Sequence, residues 1–87
     1  MNEPLTNAQA VTDTGFGARL RRARLEAGVT QPELAEKVGV HYSTVKRWEL
    51  QLMAPHERHL FRIAGHLQVK PLWLIDGSGP MRSRLNP

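Results

Sequence analysis

Residues 30–49 read TQPELAEKVGVHYSTVKRWE, and this stretch decides the fold. Thr30 followed three residues later by Glu33 is the pattern of a capping box, which begins a helix. Pro32 fits the first turn of that helix, where a missing backbone N–H leaves no helical hydrogen bond unmade. Gly39 then opens a turn of a few residues, and a second helical pattern follows it. The stretch therefore predicts two short helices joined by a tight turn.

The second of these helices, predicted from Tyr42 to Leu50, is polar along one side. Val45 and Trp48 have i, i+3 spacing and are expected to face inward. The remaining positions carry polar or basic side chains, namely Tyr42, Ser43, Thr44, Lys46 and Arg47. No acidic residue occurs in this helix before Glu49, although an exposed helix commonly carries both signs of charge. The pattern is typical of a helix-turn-helix motif that binds nucleic acid.

A helix is predicted before the motif, from Phe16 to Ala27, with Gly28 as its stop. Its apolar stripe consists of Phe16, Leu20, Ala23 and Ala27. After the motif and a linker that ends at Pro55, a helix is predicted from His56 to Leu67. A short last helix is led by Pro71, and its expected packing residues are Leu72, Trp73 and Ile75. The whole pattern predicts an all-α domain.

Composition favours one small basic domain. Its 87 residues are enough for one core. The formal net charge of +4 favours a polyanionic partner, and the lack of Cys excludes disulfides. We expect a disordered tail over residues 1–14, a helix-turn-helix domain over 15–77 and a flexible basic tail over 78–87. Apolar runs fall far short of the roughly 20 residues that span a bilayer. We therefore expect a cytoplasmic protein with no membrane contact.

Neither a catalytic nor a metal site is expected. The chain has no Cys nucleophile and no Gly-rich phosphate loop. Residues 56–59 read HERH, which lacks HExxH spacing, and His66 lies roughly 10 Å further along a helix at its usual rise. We therefore expect surface histidines, no metal, no cofactor and no enzymatic activity.

Several strings in the right order resemble the lambda-repressor-like helix-turn-helix domains, also called the Cro, phage-repressor or XRE type. The strings are FGARLRRAR in the first helix, GVTQPELAEKVGV through the second, STVKRWE in the third, Pro55, and VKPLWLIDG at the end. The resemblance implies a compact five-helix domain in which the third helix enters the DNA major groove. It also implies a buried structural ion pair between Arg24 and Glu49.

The resemblance assigns DNA contacts residue by residue. Base contacts fall on Tyr42, Ser43 and Arg47, while phosphate or flanking contacts fall on Thr30, Gln31, His41, Thr44 and Lys46. Arg47 is the leading base reader, because a guanidinium can donate two hydrogen bonds to guanine O6 and N7. Tyr42 is expected to contact either a base, through a thymine methyl group, or a phosphate.

The chain departs from the family pattern at both ends of the third helix. His41 replaces a small polar N-cap, and we expect it to be either a weak cap or a phosphate donor. Gln51 and Leu52 replace a Gly and a basic residue, which puts a phosphate contact there in doubt. Leu50, Leu52 and Met53 form a possible dimer contact, with local burial against the fourth helix as the alternative.

Two functions are compatible with this pattern. The first is a sequence-specific transcriptional regulator, a repressor of phage or bacterial type, that binds a double-stranded DNA operator as a homodimer. The second is a protein-interaction module of the same fold, such as an antitoxin or an accessory regulator, which binds a protein partner.

Overall fold

The computed structural model describes residues 15–82, and these residues form an all-α domain without strands. The helices are α1 (Phe16–Glu26), α2 (Gln31–Val38), α3 (Tyr42–Glu49), α4 (Glu57–Leu67) and α5 (Pro71–Asp76). The predicted five-helix fold class is confirmed. The predicted tail at 1–14 and the last residues, 83–87, lie outside the described part of the chain.

The start of α2 is a complete capping box. The Glu33 N–H donates to Thr30 Oγ1 over 3.1 Å, and the Thr30 N–H donates to Glu33 Oε1 over 2.9 Å. At the other end Gly39 adopts φ 88°, a left-handed conformation that glycine reaches at no steric cost. Helix α2 is therefore fixed by hydrogen bonds at its start and by a glycine at its end.

The buried face of α1 differs from the predicted stripe at its end. Leu20 and Ala23 are fully buried as expected, but Ala27 is exposed because α1 ends at Glu26 and the chain turns away. Gly28 follows with φ 72° and supplies the predicted stop. Arg24 is buried instead, and it continues the stripe of Leu20 and Ala23 on the helix surface.

The short helix α5 packs through Trp73, as predicted, but its second buried residue is Leu74. Trp73 and Leu74 are buried, whereas Leu72 is 61% exposed and Ile75 is 38% exposed. Leu74 follows Pro71 by three positions, so these two share a helix face, and Pro71 starts the helix partly buried. The expectation that Leu72 and Ile75 pack on the core was therefore wrong.

The core lies where the five helices meet. Helix α3 packs against α1 and α2, α4 packs against α2 and α5, and α5 packs against α1. The largest fully buried side chains of the core are Trp48, Leu20, Leu34, Ile63, Leu67, Leu74, Val38 and Val45. Trp48 and Val45 belong to α3, so the core directly holds the helix that carries the candidate site.

Residues 78–82 return to the domain and do not leave it after Gly77. The Lys70 N–H donates to the Met81 carbonyl over 2.8 Å, and Met81 packs partly buried against the core. Arg82 Nη1 lies 3.1 Å from Glu26 Oε1. The boundary predicted at residue 77 is therefore too early, because an apolar side chain and an ion pair hold the next five residues.

Candidate nucleic-acid interface

Helix α3 presents one polar face outward. Val45 and Trp48 are 0% and 1% exposed. At about 100° per residue, the arc opposite these two positions carries Tyr42, Ser43, Lys46, Arg47 and Leu50. This arc, which we call the recognition face, contains two basic residues and no acidic one.

Arg47 and Lys46 are the free cations of the recognition face. Both are exposed, and neither side chain makes an ion pair or hydrogen bond to another residue within 15–82. By contrast, Arg24 and Arg62 are committed to internal partners. The predicted base reader Arg47 is therefore available to an external acceptor.

The His41 side chain caps α3. Its Nδ1 accepts from the Ser43 N–H over 3.2 Å and lies 2.8 Å from Ser43 Oγ. Of the two expected roles, the structure shows the cap. A ring that accepts at Nδ1 carries its proton on Nε2, so an outward hydrogen-bond donor remains on the same ring.

The same contact changes what Ser43 can offer. If Nδ1 accepts, the Ser43 hydroxyl donates its proton to that nitrogen and keeps its lone pairs for an external donor. Ser43 is half-buried and lies one turn before Arg47. Its hydroxyl oxygen is therefore able to accept from an amino group of adenine or cytosine.

Arg24 and Glu49 fix α3 to α1. Arg24 Nε lies 2.5 Å from Glu49 Oε2 and Nη2 lies 3.1 Å from Oε1, with the two side chains 9% and 4% exposed. Arg24 Nη1 also donates to the Val29 carbonyl over 3.0 Å. This two-bond geometry sets both the position and the rotation of α3 against α1.

Gln31 completes this network and is less free than predicted. Its Nε2 donates to Glu49 Oε1 over 3.0 Å, so the predicted phosphate contact would have to share or exchange that bond. Few backbone donors remain beside it, because Thr30 and Glu33 bond each other and Pro32 has no N–H. The α2 N-terminus therefore offers a phosphate mainly Gln31 itself.

The remaining predicted flanking residues have mixed exposure. Thr30 is exposed, with its hydroxyl already accepting from Glu33. Thr44 is half-buried beside Trp48, because its position falls at the edge of the inward face of α3. Among the predicted contacts within α3, Thr44 therefore lies furthest from the centre of the recognition face.

Gln51 closes the C-terminal end of α3, a role that sequence reasoning missed. It has φ 61°, a left-handed conformation that glycine adopts more easily, and the Leu52 N–H donates to the Arg47 carbonyl over 2.9 Å. The Gly17 N–H donates to Gln51 Oε1 over 2.8 Å. A Cβ on Gly17 would strike the Glu49 carbonyl, so the glycine in the FGARL string signals this close approach.

The three residues of the predicted dimer contact lie on two different surfaces of the structure. Leu52 and Met53 are 72% and 43% exposed and line an open apolar groove of about 500 Å³. The rest of the groove is formed by Phe16, Gln51, Ala54, Pro55, Leu60 and Ile75. Leu50 is 59% exposed and belongs to the recognition face. The alternative that all three are buried against α4 was wrong.

No group of three or more potential metal ligands occurs within residues 15–82. His56 and His59 have ring centroids 6.1 Å apart, and His59 lies against the buried Trp48 ring at 5.6 Å. Burial, with Arg58, His56 and Arg62 nearby, lowers the pKa of His59. In the same part of the chain, no helix has the length and apolar character to cross a membrane.

Comparison with known proteins identifies the family to which this fold belongs. A family profile described as helix-turn-helix matches residues 20–74, which is more than half of the chain. The chain belongs to the lambda-repressor-like helix-turn-helix family. Family and fold are those of DNA-binding regulators.

Two solved structures share this family fold. The P22 c2 repressor in complex with a synthetic operator has a TM-score of 0.70 and 28% identity, covering 74% of this chain and 97% of that one. The N-terminal DNA-binding domain of SinR from Bacillus subtilis has a TM-score of 0.67 and 32% identity, covering 75% and 96%.

A curated relative is the HTH-type transcriptional regulator PrtR of Pseudomonas aeruginosa, 36% identical over 69 residues. The match covers 79% of this chain and 27% of PrtR, so this chain spans about a quarter of that protein's length.

Proposed function

We propose that this chain is a cytoplasmic DNA-binding transcriptional regulator of repressor type. The observation that carries the proposal is the recognition face of α3, where Arg47 and Lys46 are exposed and unpaired within residues 15–82. The operator complex of the P22 c2 repressor, which shares this fold, supports double-stranded DNA as the partner.

The residues of this face divide into base readers and phosphate contacts. Arg47 suits guanine, since its fork can donate to O6 and N7, and Ser43 suits an amino group as an acceptor. Lys46 and the Nε2–H of His41 suit phosphate oxygens. Gln31 joins them if a phosphate displaces or shares its bond to Glu49, and Thr30 and Thr44 flank the contact.

A homodimer fits the proposal because a single small domain makes few phosphate contacts. Two half-sites about 34 Å apart along the duplex would double them. The apolar groove beside Leu52 and Met53 is the surface we assign to the second copy. Occupation of a promoter by such a dimer would block transcription.

The test begins with selection of bound duplexes from a random pool, followed by affinity measurements on the selected sequence. Arg47→Ala is expected to weaken binding by about 1–3 kcal/mol, roughly 5- to 150-fold, and to relax selectivity at one base pair. Arg21→Ala is the matched control, because Arg21 is an exposed arginine of α1 without a partner within residues 15–82. Equal losses in the two variants would contradict base reading by α3.

The second candidate function is a protein-interaction module, favoured by the exposed Leu52 and Met53. Salt separates the two functions, because phosphate contacts release counterions and make affinity fall steeply with added salt. Lys46→Ala should reduce the slope of log affinity against log salt concentration by about one. If no duplex is enriched and the groove binds a protein partner, the module is the correct function.

A further inference from the structure

The first two side chains at the start of α3 form a stacked pair. The rings of His41 and Tyr42 have centroids 4.8 Å apart with planes inclined by 27°. Tyr42 is nevertheless 51% exposed. One ring face is therefore covered by the imidazole, while the rest of the ring stands open at the N-terminal end of the recognition face.

The imidazole is itself held in place. Two contacts, from Nδ1 to the Ser43 N–H at 3.2 Å and to Ser43 Oγ at 2.8 Å, fix the orientation of the ring against the helix backbone. A side chain that is fixed before binding loses less conformational entropy when it meets a ligand. Tyr42 is thus backed by a support that is anchored to the first turn of α3.

The family resemblance gives Tyr42 either a thymine methyl group or a phosphate to contact. We infer that His41 is a positioning residue, which holds the open Tyr42 ring for the first of these, the 5-methyl group of a pyrimidine in the major groove. The inference rests on the proposed function. The 5-methyl group is the apolar feature of the major-groove edge, and apolar side-chain surface is what recognises it. Thymine and 5-methylcytosine present the same group, so either base satisfies the chemistry.

A phosphate contact through the Tyr42 hydroxyl is the competing role, and it makes a different demand. It would need the hydroxyl and would be indifferent to the methyl group, since phosphate contacts carry no direct base information. The methyl contact would need the ring and not the hydroxyl. Tyr42→Phe therefore separates the two roles with little change in shape.

The experiment uses the duplex selected with the full chain and replaces its thymines by deoxyuridine one at a time. One replacement is expected to weaken binding about fourfold, the value of burying one methyl group. Replacing the same base pair by one with cytosine or 5-methylcytosine tells whether the methyl group alone restores affinity. Tyr42→Phe should keep the fourfold ratio, and Tyr42→Ala should abolish it.

His41→Asn tests the positioning role, because Asn is a strong N-cap but has no ring to stack. Its helix content and melting temperature should match the parent, while the thymine-to-deoxyuridine ratio falls towards one. A ratio retained in Tyr42→Ala, or the absence of any sensitive thymine, overturns the methyl contact. A ratio retained in His41→Asn overturns the positioning role. If no duplex is selected at all, the proposed function fails and the inference fails with it.

Discussion

Arg24 Nε lies 2.5 Å from Glu49 Oε2, and this pair is shielded from solvent between α1 and α3. Glu49→Ala would leave the Arg24 charge buried and without its carboxylate. We expect a loss of about 3–5 kcal/mol in the free energy of unfolding. Urea denaturation followed by circular dichroism measures it.

Joint replacement of the pair provides the control for this prediction. Arg24→Met with Glu49→Leu removes both charges and keeps apolar volume, so most of the lost stability should return. A double variant as unstable as Glu49→Ala would show that the carboxylate acts through Gln31 or the backbone rather than through Arg24.

The two glycines inside α1 and α4 should respond to alanine in opposite directions. A Cβ at Gly17 would overlap the Glu49 carbonyl, whereas a Cβ at Gly65 meets no atom within 4 Å. We expect Gly17→Ala to destabilise the fold by about 1–3 kcal/mol through overpacking. Gly65→Ala should stabilise it by about 0.5–1 kcal/mol through helix propensity. Thermal melts of both variants measure these changes. If the two melting temperatures shift in the same direction, the close approach of Gly17 to the Glu49 carbonyl is contradicted.

Loss of the α2 capping box should lower the free energy of unfolding by a measurable amount. Thr30→Ala removes the acceptor of the Glu33 N–H, and we expect a loss of about 1 kcal/mol. Thr30→Ser keeps the hydroxyl and should stay close to the parent. Urea midpoints of the three proteins decide the matter, and equal midpoints for Ala and Ser would contradict the cap.

His59 should make stability depend on pH. Burial against Trp48, with the neighbouring Arg58, His56 and Arg62, lowers its pKa in the folded state. The unfolded chain then binds more protons below the usual histidine pKa, about 6.5. Stability is expected to be full above that pH and to fall as the pH drops towards the folded pKa.

Unfolding curves recorded at several pH values between about 7.5 and 5 would measure this effect, because this range brackets the titration of histidine. His59→Gln is the control, since the other three histidines remain and only the His59 contribution disappears. An unchanged pH dependence in His59→Gln would assign the effect to another group.

Local signals made most of the backbone predictable. Thr30, Glu33, Pro32 and Gly39 each restrict the chain within a few residues, so the bounds of α2 follow from sequence alone. The same holds for α3, predicted over 42–50 and observed as Tyr42–Glu49. The Arg24–Glu49 pair needed the family resemblance, because no local rule joins residues 25 positions apart.

Features that depend on long-range packing were not predictable. Whether Leu72 or Leu74 is buried depends on how α5 rotates against α1, and apolar identity does not distinguish them. Met81 lies in a basic, Ser- and Pro-containing stretch, yet its carbonyl accepts from Lys70. At the candidate site, the His41–Ser43 contact depends on a side-chain rotamer and the left-handed Gln51 on a backbone angle, and the sequence pattern leaves both open.

The turn after α3 joins two surfaces that were described separately. Leu52 lines the groove, and its N–H donates to the carbonyl of Arg47, a residue of the recognition face. Gln51, between them, is tied to Gly17. Binding at either surface would therefore act on the same turn. Thermodynamic reciprocity then requires that any factor by which self-association changes operator affinity is also the factor by which the operator changes self-association.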